Sequence, residues 1–315
     1  MKKTMKKILF ITALSLFTFT LSAGEFKAKE TKIIGGTKSA FGAWPSTVAL
    51  LNADTIRKVE SGTATYPSGE LIPKSYANYQ AQFCGASLID SKWILTAAHC
   101  LVDNGVTKKA EKINVLVGAS NLIGGGTRKT VKKVIIHPDF NEQTADNDIA
   151  LLELDSSTNV STIKVSNAAV SNGTLAMVVG WGALSDSSTL FPSELYEVEL
   201  PLVDRQVCVA LYGSTDFTGN MICAGYEQGG KDTCKGDSGG PLMARINGFY
   251  QQIGITSWGV GCAKVGLYGA YTRLSKYKSW ISSKTTSSES GGGSLFFLLI
   301  PLFFLTISRR KHNKQ

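Results

Sequence analysis

The stretch "NMICAGYEQGGKDTCKGDSGGP" (220–241) decides how this chain is read. It sets Ser238 after Asp237 and before two glycines, with Gly236 just upstream and Asp232, Cys223 and Cys234 close by. A serine hydroxyl is a poor nucleophile at neutral pH. It needs a base within hydrogen-bond reach, and that base needs an acceptor to fix its tautomer and stabilise its charged form. Glycine at 236 frees the backbone to turn, so that its N–H and that of Ser238 can aim at one spot where an oxyanion would develop. Gly239 and Gly240 are expected to let a substrate chain approach closely.

Two other short stretches hold the remaining partners. "LTAAHC" (95–100) contains His99, and "DNDIALLEL" (146–154) places Asp148 at the head of an apolar strand. His99, Asp148 and Ser238 therefore qualify as base, acceptor and nucleophile. Of the other two histidines, His312 lies in the basic C-terminal end. His137, in "IIHPDF", has no catalytic motif around it and is assigned to structure. Asp146 is expected to be a solvated turn residue.

Further out, short apolar runs such as "STVALL", "INVLVG", "IALLEL" and "LAMVVGWG" are bounded by Gly, Asn, Asp and Ser. They recur without long helical periods, which argues for an all-β sandwich or pair of barrels. One closing helix is expected over 274–284. Residues 54–83 form a polar stretch, expected to be an extended loop, and no internal repeat is present.

Both ends carry address-like patterns. "MKKTMKK" followed by the apolar run 8–21 and "SAG" has the order of a secretory signal peptide, with cleavage expected near Ala23. Residues 285–294 are a Ser/Gly linker. They lead into "LFFLLIPLFFLTI" (295–307) and a basic end. That apolar run spans ~20 Å as a helix, short of the ~30 Å hydrocarbon core, and would be a poor permanent anchor. The formal charge of +9 is concentrated in the two ends, because residues 33–294 carry 22 bases and 22 acids. Nothing in this neutral body points to a nucleic-acid partner. Six cysteines in an exported chain read as three disulfides. Their spacings show neither C-x-x-C nor the sequence spacing of a cysteine–histidine metal motif, so no metal and no cofactor are expected.

Taken together, "TAAHC", "DNDIALL" and "GDSGGP" resemble the motifs of trypsin-like, chymotrypsin-fold serine proteases, in that family's His, Asp, Ser order. The similarity covers roughly 33–283. It implies two six-stranded antiparallel β-barrels with a C-terminal helix and the triad between the barrels. It implies an endopeptidase whose partners are protein and peptide substrates with Lys or Arg before the scissile bond. Asp232 then matches the base of the specificity pocket, and Gly259 and Gly269 its open walls. Ser257 and Gly259 would pair with substrate backbone. Cleavage after Lys32 would free Ile33, whose ammonium would pair with Asp237. The implied disulfides are Cys84–Cys100, Cys208–Cys223 and Cys234–Cys262. The organisation that follows is signal 1–23, propeptide 24–32, protease domain 33–284, linker 285–294 and sorting tail 295–315.

Some features depart from the family pattern. Residues 112–138 contain no acid, so a calcium loop of the animal-trypsin kind lacks its ligands. The 54–83 stretch is long. Tyr268 stands where trypsins have Pro, and a Tyr there accompanies a sodium site in some relatives. The tail resembles the GlyGly-CTERM signals of Gram-negative bacteria. That likeness implies transient membrane contact, cutting by a rhomboid-type sorting protease, and release or attachment at the cell surface. Two other readings are a catalytically silent binding or adhesion module on the same fold, and an esterase of another fold. The first is opposed by the intact triad, the second by the motif order.

Overall fold

The computed structural model describes residues 34–188 and 191–286. The signal, the Lys32–Ile33 junction and the tail lie outside the described residues.

In chain order, the first half contains β1 (Thr37–Lys38), β2 (Thr47–Asn52), β3 (Gln82–Asp90), β4 (Trp93–Thr96), the small ribbon β5 (Val102–Asp103) and β6 (Val106–Thr107), β7 (Ile113–Val117), β8 (Thr127–Ile136) and β9 (Ala150–Leu154). The second half contains β10 (Leu175–Gly180), β11 (Tyr196–Val203), β12 (Met221–Ala224), β13 (Pro241–Ile246), β14 (Phe249–Trp258) and β15 (Gly269–Arg273). Strands β2-β3-β4-β9-β8-β7 close a six-stranded antiparallel barrel. Strands β11-β10-β13-β14-β15-β12 close the second through pairing of β11 with β12, and β1 adds to the outside of β11.

The apolar runs and the packing explain one another. In β2 the whole run from Thr47 to Leu51 is buried. Val48 and Leu50 face the first barrel's interior, and Ala49 and Leu51 face a second cluster with Val179, Trp181 and Met243 of the other barrel. A strand covered on both faces reads as a continuous apolar run, where one-sided cover would give alternation. Strand β11 shows that alternation, with Tyr196, Val198, Leu200 and Leu202 buried in the second core.

The 54–83 region is not an extended loop, which corrects the sequence expectation. It contains helix α1 (Ala53–Glu60) and helix α2 (Ala77–Ala81). Asn52 caps α1 by accepting from the Asp54 and Thr55 amides at 2.9 and 3.0 Å, which satisfies donors a helix start leaves free. Ala53, Ile56 and Val59 recur on its buried face. Ile56 and Ala81 join the cluster between the barrels. Later come α3 (Arg205–Tyr212), capped by Asp204, and the closing helix α4 (Lys278–Thr285). His137 packs its ring against Tyr277 and Trp280 at 5.3 and 5.0 Å, a structural role at the foot of α4. Disulfides join Cys84–Cys100, Cys208–Cys223 and Cys234–Cys262. These pairs fit an extracellular protein. No helix among the described residues is long and apolar enough to cross a membrane.

Candidate active site

His99 and Asp148 come from the first barrel, on the turns after β4 and before β9. Asp148 is fully buried. Its Oδ1 accepts from the His99 backbone N–H at 2.9 Å and its Oδ2 lies 2.7 Å from His99 Nδ1. The Ser257 hydroxyl donates to the same Oδ2 at 2.5 Å, and the Thr272 hydroxyl donates to the Asp148 carbonyl at 2.7 Å. Strands β14 and β15 of the second barrel therefore help hold a carboxylate carried by the first.

With Nδ1–H committed to Asp148, Nε2 is the nitrogen free to take a proton. Burial pulls the His99 pKa down, but the charge of Asp148 and its hydrogen bond outweigh this and raise it above the ordinary 6.5. Ser238 belongs to the second barrel, yet its carbonyl accepts from Gly85 N of β3 at 2.7 Å. The same carbonyl lies 3.6 Å from Cys100 Sγ, which is 3.9 Å from His99 Nε2. The structure thus brings all three sequence candidates together at the seam between the barrels.

Gly236 has φ +93°, in the range glycine tolerates best. The Ala183 amide donates to the Lys235 carbonyl at 2.7 Å. Because a trans peptide sets its C=O and N–H in opposite directions, the Gly236 N–H points away from Ala183. Gly239 has a different task from the one expected of it. A Cβ there would meet Thr96 Oγ1 at 2.3 Å and the Gly85 carbonyl at 2.4 Å. Its missing side chain admits the first barrel, not a substrate. At Gly240 the obstacle is likewise the protein's own Asp237 carbonyl, at 2.8 Å.

Beside Ser238 opens a slot of about 250 Å³, lined by Asp232, Thr233, Cys234, Ser257, Gly259 and Gly269 among others. Asp232 is 7% exposed, and its carboxylate accepts from the Thr233 and Ala263 amides at 2.8 and 2.9 Å. Burial pushes its pKa up to about 6 against those two bonds. No ion pair to Asp232 occurs among the described residues. Lys231 extends over the Tyr226 ring instead, 5.5 Å from its centroid. A Cβ on Gly269 would stand 3.3 Å from Asp232 Oδ1, and one on Gly259 would stand 3.9 Å from Gly269 Cα. Side chains at either position would narrow the slot.

Asp237, just before Ser238 in the chain, is buried and accepts from Gly182 N at 2.8 Å and Cys234 N at 3.0 Å. Burial pushes its pKa up to about 7, and the nearby Asp232 charge adds to the rise. Ile34, the second residue after the expected junction, packs with Ala183, Cys234 and Cys262. Its carbonyl accepts from Asp232 N at 3.2 Å.

Asp146 is not a solvated turn residue. It is half-buried and accepts from the Thr218 hydroxyl at 2.5 Å and from Asn220 Nδ2 at 3.0 Å, tying the turn that carries Asp148 to the second barrel. Two groupings among the described residues have metal-ligand spacing, Cys84–His99–Cys100 and Asp186–Cys234–Cys262. In each the two cysteines are bonded to one another, so neither offers a thiolate ligand.

Residues 33–281 match the family model for Trypsin. The chain belongs to the trypsin family. It is 41% identical to Trypsin-3 of Salmo salar over 223 residues, covering 67% of this chain and 88% of the salmon protein. It is 39% identical to Trypsin of Sus scrofa over 209 residues, covering 65% of this chain and 86% of the pig protein. Cationic trypsin-3 of Rattus norvegicus is 38% identical over 245 residues, covering 74% of this chain and 95% of the rat protein. With this family, fold and chemistry, the protein is a trypsin-like serine endopeptidase acting on peptide substrates.

Proposed function

We propose that this trypsin-family enzyme cuts polypeptides after Lys or Arg, using His99, Asp148 and Ser238. His99 Nε2 takes the Ser238 proton as Oγ attacks the substrate carbonyl carbon. The Gly236 and Ser238 amides hold the resulting oxyanion, and Asp148 stabilises the imidazolium. His99 then gives that proton to the leaving amine, and water resolves the acyl-enzyme by the same route. The observation that carries the specificity is Asp232, a buried carboxylate that lines a glycine-walled slot and has no ion pair among the described residues. Burying it costs free energy that a Lys or Arg side chain would offset on arrival. Peptide amides differing only in the residue before the scissile bond test this. Arg and Lys should be preferred, and a preference for Phe or Ala would sink the assignment.

Maturation belongs to the same proposal. Export follows signal 1–23, and cutting after Lys32 removes 24–32 and frees the Ile33 ammonium for Asp237. The support is a buried carboxylate with a raised pKa and no ion pair among the described residues, with Ile34 packed against the Cys234–Cys262 disulfide. The tail 295–315 is proposed to be removed by a sorting protease, leaving the enzyme released or at the cell surface of a Gram-negative bacterium. Mass spectrometry of the mature ends decides this, since retention of 295–315 would make the tail an anchor. A silent binding protein would leave Ser238 unlabelled by a fluorophosphonate probe.

A further inference from the structure

The catalytic and specificity roles leave the 53–82 region without a task, yet its last residues reach the oxyanion loop. Gln82, the first residue of β3, donates from Nε2 to the Gly236 carbonyl at 3.1 Å. Tyr79, one turn back in α2, donates its hydroxyl to the Phe191 carbonyl at 2.8 Å. The Phe191 ring in turn lies against Gly236, where a Cβ would meet it at 2.9 Å.

The two peptides flanking Gly236 are therefore pinned from opposite sides. The Lys235 carbonyl is held by the Ala183 amide of the second barrel, and the Gly236 carbonyl by Gln82 of the first. Glycine has the least intrinsic restriction on φ and ψ, so a loop whose N–H must aim at an oxyanion gains most from external pins. The region that supplies this one is itself well anchored. Asn78 accepts from Arg128 Nε at 3.1 Å, Glu60 pairs with Arg128 at 2.7 Å, and Ile56 and Ala81 are buried between the barrels.

We propose that Gln82, assisted by Tyr79 through Phe191, is a positioning residue for the oxyanion-binding amide of Gly236, and that the 53–82 region is an internal brace for catalysis. This rests on the reading of Gly236 as an oxyanion donor. Transition-state binding should depend on the brace, while filling of the Asp232 slot should not.

The test uses the mature enzyme with Gln82→Leu, Gln82→Glu and Tyr79→Phe, followed by kcat and KM on an arginine amide. It also measures affinity for an arginine-ended peptide aldehyde, which forms a tetrahedral adduct, and for benzamidine, which fills only the slot. Gln82→Leu should lower kcat and aldehyde affinity about tenfold, the scale of one hydrogen bond. KM and benzamidine affinity should stay within about twofold, which also reports that the fold is intact. Gln82→Glu keeps the size but donates only when protonated, so its kcat relative to wild type should recover as pH falls from 8 to 5. Tyr79→Phe should show a smaller loss of the same kind. Unchanged kcat in both Gln82 variants, or parallel loss of aldehyde and benzamidine affinity, would overturn the brace. A wild-type enzyme inert toward every amide would instead overturn the protease reading itself.

Discussion

Asp148 and the pair Asp232 and Asp237 are all buried carboxylates, but their surroundings differ in kind. Asp148 has its donors built in, namely the His99 N–H and ring, with the Ser257 hydroxyl. Asp232 and Asp237 have mainly backbone N–H groups, and burial raises both pKa values, to about 6 and about 7. A buried charge is tolerated when it is paired and hydrogen-bonded, and otherwise it shifts toward the neutral form. The first site is complete within the chain. Neither of the other two has an ion pair among the described residues, and the two proposed reactions would each deliver a cation: substrate binding to Asp232, and cleavage after Lys32 to Asp237.

The largest effect should come from breaking the complete site. Asp148→Asn keeps the shape but no longer fixes the Nδ1–H tautomer of His99. The expected loss in kcat is about 10⁴-fold, with KM little changed. In the unaltered enzyme kcat/KM should rise with pH as His99 deprotonates, at a pH above the ordinary 6.5 because Asp148 holds the charged form. A pH midpoint below 6.5 would contradict the geometry.

Next is Asp232→Ser, which removes a carboxylate whose proposed partner is the substrate's own cation. Arginine amides should lose about 10²–10³-fold in kcat/KM, on the scale of an unpaired buried charge, while the fold is retained. An unchanged preference for Arg over Phe would show that the slot does not select charge.

The candidate residues of these two sites are legible in the amino-acid sequence because each sits in a short motif of its own, although His99, Asp148 and Ser257 come from three separate segments. "TAAHC" and "GDSGGP" place residues that stay close in space for local reasons. What the sequence hides depends on distant partners. The 54–83 stretch is polar in composition, yet Ala53, Ile56 and Val59 after Asn52 already have helical spacing behind a capping residue. Asp146 looks solvated until Thr218 and Asn220 arrive from the other barrel. Gln82 carries no local signal at all, since its partner is 154 residues away. Gly239 misleads because glycine reports close approach without saying what approaches.

Asp237 gives a smaller effect, on stability. Its folded pKa of about 7 lies above the ordinary 3.8, so the folded chain keeps a proton that the unfolded chain has lost. Stability should therefore fall as pH rises from about 4 to about 7. Asp232 adds a loss of the same sign up to about pH 6. The Ser238→Ala chain, kept uncleaved at Lys32, should show this fall in urea midpoints. After cleavage by an added protease the Ile33 ammonium should lower the Asp237 pKa and remove most of it. Identical pH profiles before and after cleavage would break the pairing of Ile33 with Asp237.

The smallest effect should come from Ser257→Ala, which takes one donor from the site that has several. Asp148 would keep both bonds to His99, so the tautomer and ring orientation survive. A hydrogen bond to a charged group contributes about 1.5–3 kcal/mol, and part of that is recovered because His99 remains paired. The expected loss in kcat is about tenfold or less, far below that of Asp148→Asn. If Ser257→Ala approached the Asn variant in severity, the carboxylate would not be complete without the second barrel. The contrast between a finished site and two waiting ones would then fail at its first member.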